Sequence, residues 1–202
     1  MKLHSEQYPY IYFRGRATTF TRSERTENSY FGGPSKVAVK GAKHGPRRIH
    51  HIATISTADL GIADSKFGSA IPFYYGMCFE CCDLNYKLPL HTMAVVSAPW
   101  IEVTEIEPNV SSDDWPYADY PQLLPYIPLE IQETIEMPLE MFSESVMQGV
   151  DTLSDEELVL VVPPNTAMGV SLWGPWGDAA DVQVIFIYNT KTAITRAYNA
   201  CT

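Results

Sequence analysis

Short apolar runs separated by turn residues dominate this chain, and most of them predict strands. Tyr8 to Phe13 is aromatic and β-prone, and Ile49 to Ser56 alternates in the manner of a strand. Ile71 to Leu84 (IPFYYGMCFECCDL) predicts a longer strand entered through Pro72, and Leu90 to Trp100 and Ile101 to Glu107 predict two more around Pro99. Trp115 to Pro128 is dense in proline and aromatics and reads as a structured loop. Glu157 to Val162 and Val182 to Asn189 close the series as strands joined by a Gly/Trp/Pro-rich loop.

One segment breaks the pattern. From Leu129 to Val150, Ile131, Ile135, Leu139, Phe142, Val146 and Val150 recur at helical spacing, with Glu130, Glu133, Glu136, Glu140 and Glu144 on the opposite side. This predicts an amphipathic helix, kinked or split in two at Pro138, which lacks a backbone donor. The expected fold class is therefore α+β, a mainly antiparallel sheet with one or two amphipathic helices. Residues 1–202 fit one domain. A faint echo between HHIATIS…GMCFECCDL and LVLVVPP…VQVIFIYN would be an internal duplication with halves 1–100 and 101–202.

Composition adds two constraints. The chain is 46% hydrophobic and 12% aromatic, ample for a packed core. No apolar stretch approaches the roughly 20 residues that span a bilayer, and the N-terminal residues lack a secretory pattern. The four cysteines, Cys78, Cys81, Cys82 and Cys201, make a poor disulfide framework, so the expected location is the reducing cytoplasm.

Charge changes the picture more. The net value is -10, yet ten of the 14 Lys and Arg fall within residues 1–50, against Glu6, Glu24 and Glu27. Between Lys87 and Lys191 there are 17 carboxylates and no basic residue. Such a span repels nucleic acid and anionic membrane and attracts a cationic protein. The basic stretch with Arg14, Arg16, Arg22, Arg25, Lys40, Lys43, Arg47 and Arg48 does not reverse that for the whole molecule.

Several pieces, in order, resemble the YwqG-like family, a domain of unknown function. FGGPSKV (Phe31 to Val37) looks like its Phe-Gly-Gly motif, and HHIATISTADL (His50 to Leu60) like its His-led strand. LLPYIPLEIQ (Leu123 to Gln132) resembles its Leu-Leu-Gly-Tyr-Pro segment. ELVLVVP (Glu157 to Pro163) and WGDAADVQVIFIY (Trp176 to Tyr188) resemble its closing strands and Trp-Gly-Asp turn. Thr54 and Ser56 stand where the family favours Gln and Asp, and Pro125 where it favours Gly. The resemblance implies an α+β fold of repeated antiparallel strands. Members occur among polymorphic toxin systems, which implies an immunity role.

Candidate chemistry is sparse. Cys78, Cys81 and Cys82 with His91 downstream lack the second ligand pair of a zinc site, so no metal or other cofactor is expected. His50 and His51 are adjacent and face opposite sides of a strand, with no nucleophile marked by spacing; no catalytic residue is assigned. Phe31-Gly32-Gly33-Pro34 and Trp176-Gly177-Asp178 read as turns, the former needing positive φ at glycine. The expected function is non-catalytic: an immunity-type inhibitor that neutralises a basic toxin through an acidic surface. Its partner-binding residues would be Glu130, Glu133, Glu136, Glu140, Glu144, Asp113, Asp114, Trp115, Tyr117 and Tyr120, with Tyr126 a further aromatic anchor. The alternative is an enzyme with a dispersed site. Oligomeric state is left open.

Overall fold

The computed structural model describes residues 8–33, 38–40, 50–62, 69–75, 84–87, 100–106, 124–146, 150–164, 166–169, 172 and 182–200. Within them twelve strands share one sheet, in the order β4-β8-β7-β12-β11-β10-β1-β2-β9-β3-β5-β6. The strands are β1 (Tyr10–Phe13), β2 (Arg16–Arg22), β3 (Ser29–Phe31), β4 (Ala38–Lys40), β5 (His50–Ser56) and β6 (Ala70–Tyr75). The rest are β7 (Leu84–Lys87), β8 (Trp100–Ile106), β9 (Ile127–Glu136), β10 (Glu157–Val162), β11 (Gln183–Asn189) and β12 (Ile194–Ala200). Every pairing is antiparallel except β4 with β8. The fold is mainly antiparallel sheet with very little helix.

The nine strands from β12 to β6 curl into a nearly closed sheet. Across its interior Phe73 of β6 meets Phe186 of β11 at 5.3 Å between ring centroids, and Tyr75 meets Phe186 at 6.4 Å. Ile11, Phe20, Phe31, Leu160 and Val184 fill the same core. On the outer face, Tyr10, Tyr12, Val159, Val161 and Ile185 form a second apolar layer, plated by Met137, Phe142, Val146 and Val150. Covered on both faces, β10 runs Leu158 to Val162 without an exposed residue, which is why its sequence is apolar throughout.

Local chemistry sets the connections. The β1–β2 hairpin turns on Arg14 and Gly15, both with positive φ (49° and 74°), a pair that matches the twist of its strands. The strand order interleaves the chain: β9 lies between β2 and β3, and β10 pairs with β1. Of the two echoing stretches, HHIATIS is β5 and LVLVVPP with VQVIFIYN supplies the antiparallel pair β10–β11, while residues 76–83 of GMCFECCDL lie outside the described residues. No helix among the described residues is long and apolar enough to cross a membrane.

The expected amphipathic helix is corrected. Ile127–Glu136 is a ten-residue strand, and among the described residues helix is confined to α1, Leu139–Ser143, with Pro138 at its N-cap. The segment pairs with β2 on one side and β3 on the other, with one bulge. Thr19 pairs with Glu133 and Phe20 with Ile131, so Gln132 is the extra residue in β9. One inserted residue shifts the two-residue alternation, placing Glu130 and Glu133 on one face at a spacing of three. The bulge reproduces that one helical step only, because Ile131, opposite Phe20, and Ile135, opposite Ala17, fall on opposite faces. β2 and β12, which carried no strand signal above, also appear; β2 has arginines at both ends and three threonines, and β12 buries small residues, Thr195, Ala197 and Ala200.

Candidate functional site

The five glutamates expected to form a single stripe occupy four settings. Glu130, exposed on β9, receives the Ser23 hydroxyl at 3.0 Å, with Glu27 3.3 Å from the same oxygen. Glu133 is exposed on the side of β9 that carries Ile135. Glu136 lies across from Arg16 and pairs with it at 3.6 Å, both side chains largely exposed (84% and 56%). Such a pair is worth about 0–1 kcal/mol, but it cancels one charge of the expected surface.

Glu140 and Glu144 do come together, four residues apart across α1. With Leu139, Ser143 and Asp151 they line an open groove of 420 Å³. Ser143 donates to Asp151 at 3.1 Å, and Met141 beside the groove is 49% exposed. A five-residue helix has little stability of its own, so its position comes from Phe142. That ring is fully buried, stacked on Tyr12 at 4.3 Å and edge-on to Tyr10 at 6.0 Å. Burial, and next the Glu140 charge, push the Tyr12 phenol upward, while Tyr10 is pushed up to about 12 by burial.

Among the described residues, the carboxylates with an ion pair are Glu136 and Glu156, the latter with Lys191 at 3.9 Å. Arg14 is turned to the Asp155 carbonyl (3.1 Å) and over the Phe13 ring (4.8 Å). Asp151 was not singled out from the sequence; it joins Glu140 and Glu144 only because the segment after α1 folds back over the outer apolar layer. Asp113, Asp114, Trp115, Tyr117 and Tyr120 lie outside the described residues, as do Cys78, Cys81, Cys82, His91 and the Trp176-Gly177-Asp178 stretch. No group of three or more His, Cys, Asp or Glu among the described residues is placed to hold a metal.

A second locus forms where three of the resembling motifs meet. The Gly32 amide donates to the Ile52 carbonyl and the Gly33 amide to the Leu124 carbonyl, both at 2.7 Å. Positive φ at Gly32 (60°) and Gly33 (74°) makes this turn possible, as its sequence predicts. A Cβ on Gly33 would stand 2.9 Å from the Tyr126 ring. His51, 6% exposed, donates from Nδ1 to the Gly32 carbonyl and takes the Thr54 hydroxyl at Nε2, each at 2.8 Å. Burial lowers its pKa, so the ring is neutral near pH 7. Rings continue outward from it: Tyr74 at 5.5 Å, Tyr30 at 5.4 Å, and Tyr126 at 5.1 Å from Tyr30.

Comparison with family models, with curated proteins and with solved structures finds no match to this chain. Its class accordingly rests on its own architecture, a mainly antiparallel, nearly closed sheet plated on one side by a short helix.

Proposed function

We propose that this chain is a non-catalytic binding protein of the YwqG-like kind, an immunity-type inhibitor that neutralises a basic toxin in the cytoplasm. The carrying observation is the surface around α1, where Glu140, Glu144 and Asp151 are exposed, with Glu133 exposed on the face of β9 that carries Ile135; among the described residues none of the four has an ion pair. Like charges held together cost stability, by roughly 0.2–0.5 kcal/mol for a pair four apart on a helix. A cationic partner relieves that cost on docking, and the field accelerates its encounter.

The test is association with the product of the adjacent gene, followed across a salt series. The association rate should fall about tenfold or more between roughly 50 and 300 mM salt, and Glu140→Lys with Glu144→Lys should slow it similarly. Binding that is absent, or indifferent to salt and to both substitutions, sinks the reading.

One observation favours the enzyme alternative: the Thr54 hydroxyl bonded to the His51 imidazole resembles a nucleophile and its base. Against it, the adjacent Gly32 and Gly33 amides are already committed to carbonyls and cannot receive a developing oxyanion. The pair serves better as a structural clasp, and turnover of generic activated esters that vanishes in Thr54→Val is the result that would reverse this preference.

A further inference from the structure

Strand register places one residue from each of four strands in a transverse row: Pro128 of β9, Tyr30 of β3, Thr54 of β5 and Pro72 of β6. The neighbouring row, Ile127, Phe31, Ala53 and Phe73, points into the core and is buried. Alternation along a strand therefore puts the first row on the outer face. A solvent-facing antiparallel surface is ordinarily polar; here Pro128, Tyr30 and Pro72 are half-buried and apolar or aromatic. Tyr126 extends the row, 46% exposed and tilted against Tyr30. Its ring lies over Gly33, where any side chain would collide with it, and the Gly33 amide ties down the adjoining Leu124 carbonyl.

Charge borders the same step. Glu130 follows Pro128 by two residues on β9 and so shares its face. The Ser23 hydroxyl sits between the Glu130 and Glu27 carboxylates while accepting the Arg25 amide at 3.1 Å. A hydroxyl has one proton, so it satisfies one of the two carboxylates and leaves the other for a further donor. Among the described residues neither carboxylate has an ion pair.

We propose that this face seats an arginine side chain of a protein partner, its stem along the Tyr126 and Tyr30 step and its guanidinium N–H groups directed to Glu130 and Glu27. The proposal rests on the basic-partner reading and names the place where that partner is anchored. Arginine fits better than lysine because its planar head offers five donors in a fixed fork. A nucleic acid base would stack on tyrosine, but its phosphates would meet two carboxylates. A lipid surface would meet the same charges.

The probe is a blocked tripeptide with a central arginine, titrated into the isotope-labelled full chain and followed by amide chemical shifts. Its citrulline counterpart, which keeps the shape and loses the charge, runs in parallel. Saturable shifts should centre on Tyr30, Thr54, Tyr126 and Glu130, with citrulline at least about tenfold weaker. Tyr126→Ala and Glu130→Gln, both exposed, should each weaken arginine binding several-fold with the spectrum otherwise unchanged. Shifts centred on Glu140, Glu144 and Asp151 instead would overturn this site while leaving the acidic-surface reading standing. Equal binding of citrulline, or no saturable shift, overturns the proposal, and the adjacent-gene assay then decides the broader reading separately.

Discussion

The imidazole of His51 bridges the Thr54 hydroxyl, 2.8 Å from Nε2, and the Gly32 carbonyl, 2.8 Å from Nδ1, so one ring ties β5 to the turn that follows β3. Its pKa is lowered from 6.5, chiefly by burial, with backbone hydrogen bonds from Gly32, Gly33 and Ala53 opposing the shift. The unfolded chain therefore binds this proton more readily than the folded one. The stability His51 contributes is complete above the unfolded value and is lost as pH falls through it toward the folded one. Urea unfolding at about pH 7.5 and about pH 5 should show lower stability at the acidic value. His51→Gln should lower stability at the higher pH by about 1–3 kcal/mol and flatten the pH dependence. An unchanged slope in the variant would assign the acid sensitivity elsewhere.

Phe142 carries α1. Replacing it with alanine removes a fully buried ring from between Tyr10 and Tyr12, and such truncations cost about 3–5 kcal/mol. Chemical denaturation should register that loss. The aromatic circular dichroism of the stacked pair should fall with it, because the 4.3 Å contact to Tyr12 disappears.

The ion pair between Arg16 and Glu136 should matter little for stability. Its groups are mostly exposed and 3.6 Å apart, and a double-mutant cycle should return a coupling below about 1 kcal/mol. Its effect on association should be larger than its effect on folding. Arg16→Ala frees a carboxylate at one edge of the acidic surface, so encounter with a cationic protein should speed up at low salt. A coupling of several kcal/mol would mean the pair is shielded from water in a way its exposure contradicts.

What the sequence disclosed divides by the range of the interaction that fixes each feature. β10 matches its expected limits, Glu157 to Val162, because burial on both faces leaves an unbroken apolar run. β5 and β11 match to within a residue for related reasons. β9 is misread from sequence as the first half of an amphipathic helix, on the spacing of its apolar and acidic residues; its pairing with β2, more than a hundred positions earlier, and the bulge at Gln132 leave no local pattern. The same holds for the acidic groove. Glu140 and Glu144 are neighbours by helix geometry, but Asp151 reaches them through the packing of Phe142, Val146 and Val150 on the outer layer. The glycine turn was readable because Phe-Gly-Gly-Pro has few other uses, whereas the convergence of His51, Leu124 and Tyr126 on it required the assembled sheet.

Glycines with similar backbone angles should respond very differently to substitution. Gly15, Gly32 and Gly61 all have positive φ, so alanine at any of them adopts a conformation that L residues rarely hold, at a cost of about 1–2 kcal/mol. At Gly15 and Gly61 a Cβ meets nothing within 4 Å, and that backbone cost should be the whole effect. At Gly32 the Cβ would stand 2.8 Å from Leu124 Cβ and press on the Pro125 carbonyl. Backbone cannot swing aside as a side-chain tip can, so the 124–126 segment must move, and with it the Gly33 bond to Leu124 and the Tyr126 ring above it. Gly32→Ala should therefore destabilise by at least about 3 kcal/mol, clearly more than Gly15→Ala. It should also shift the amide signals of Leu124 and Tyr126, which Gly15→Ala leaves in place. Equal losses at the two positions would mean that the segment yields freely, and the aromatic step it carries would then be a soft surface instead of a fixed one.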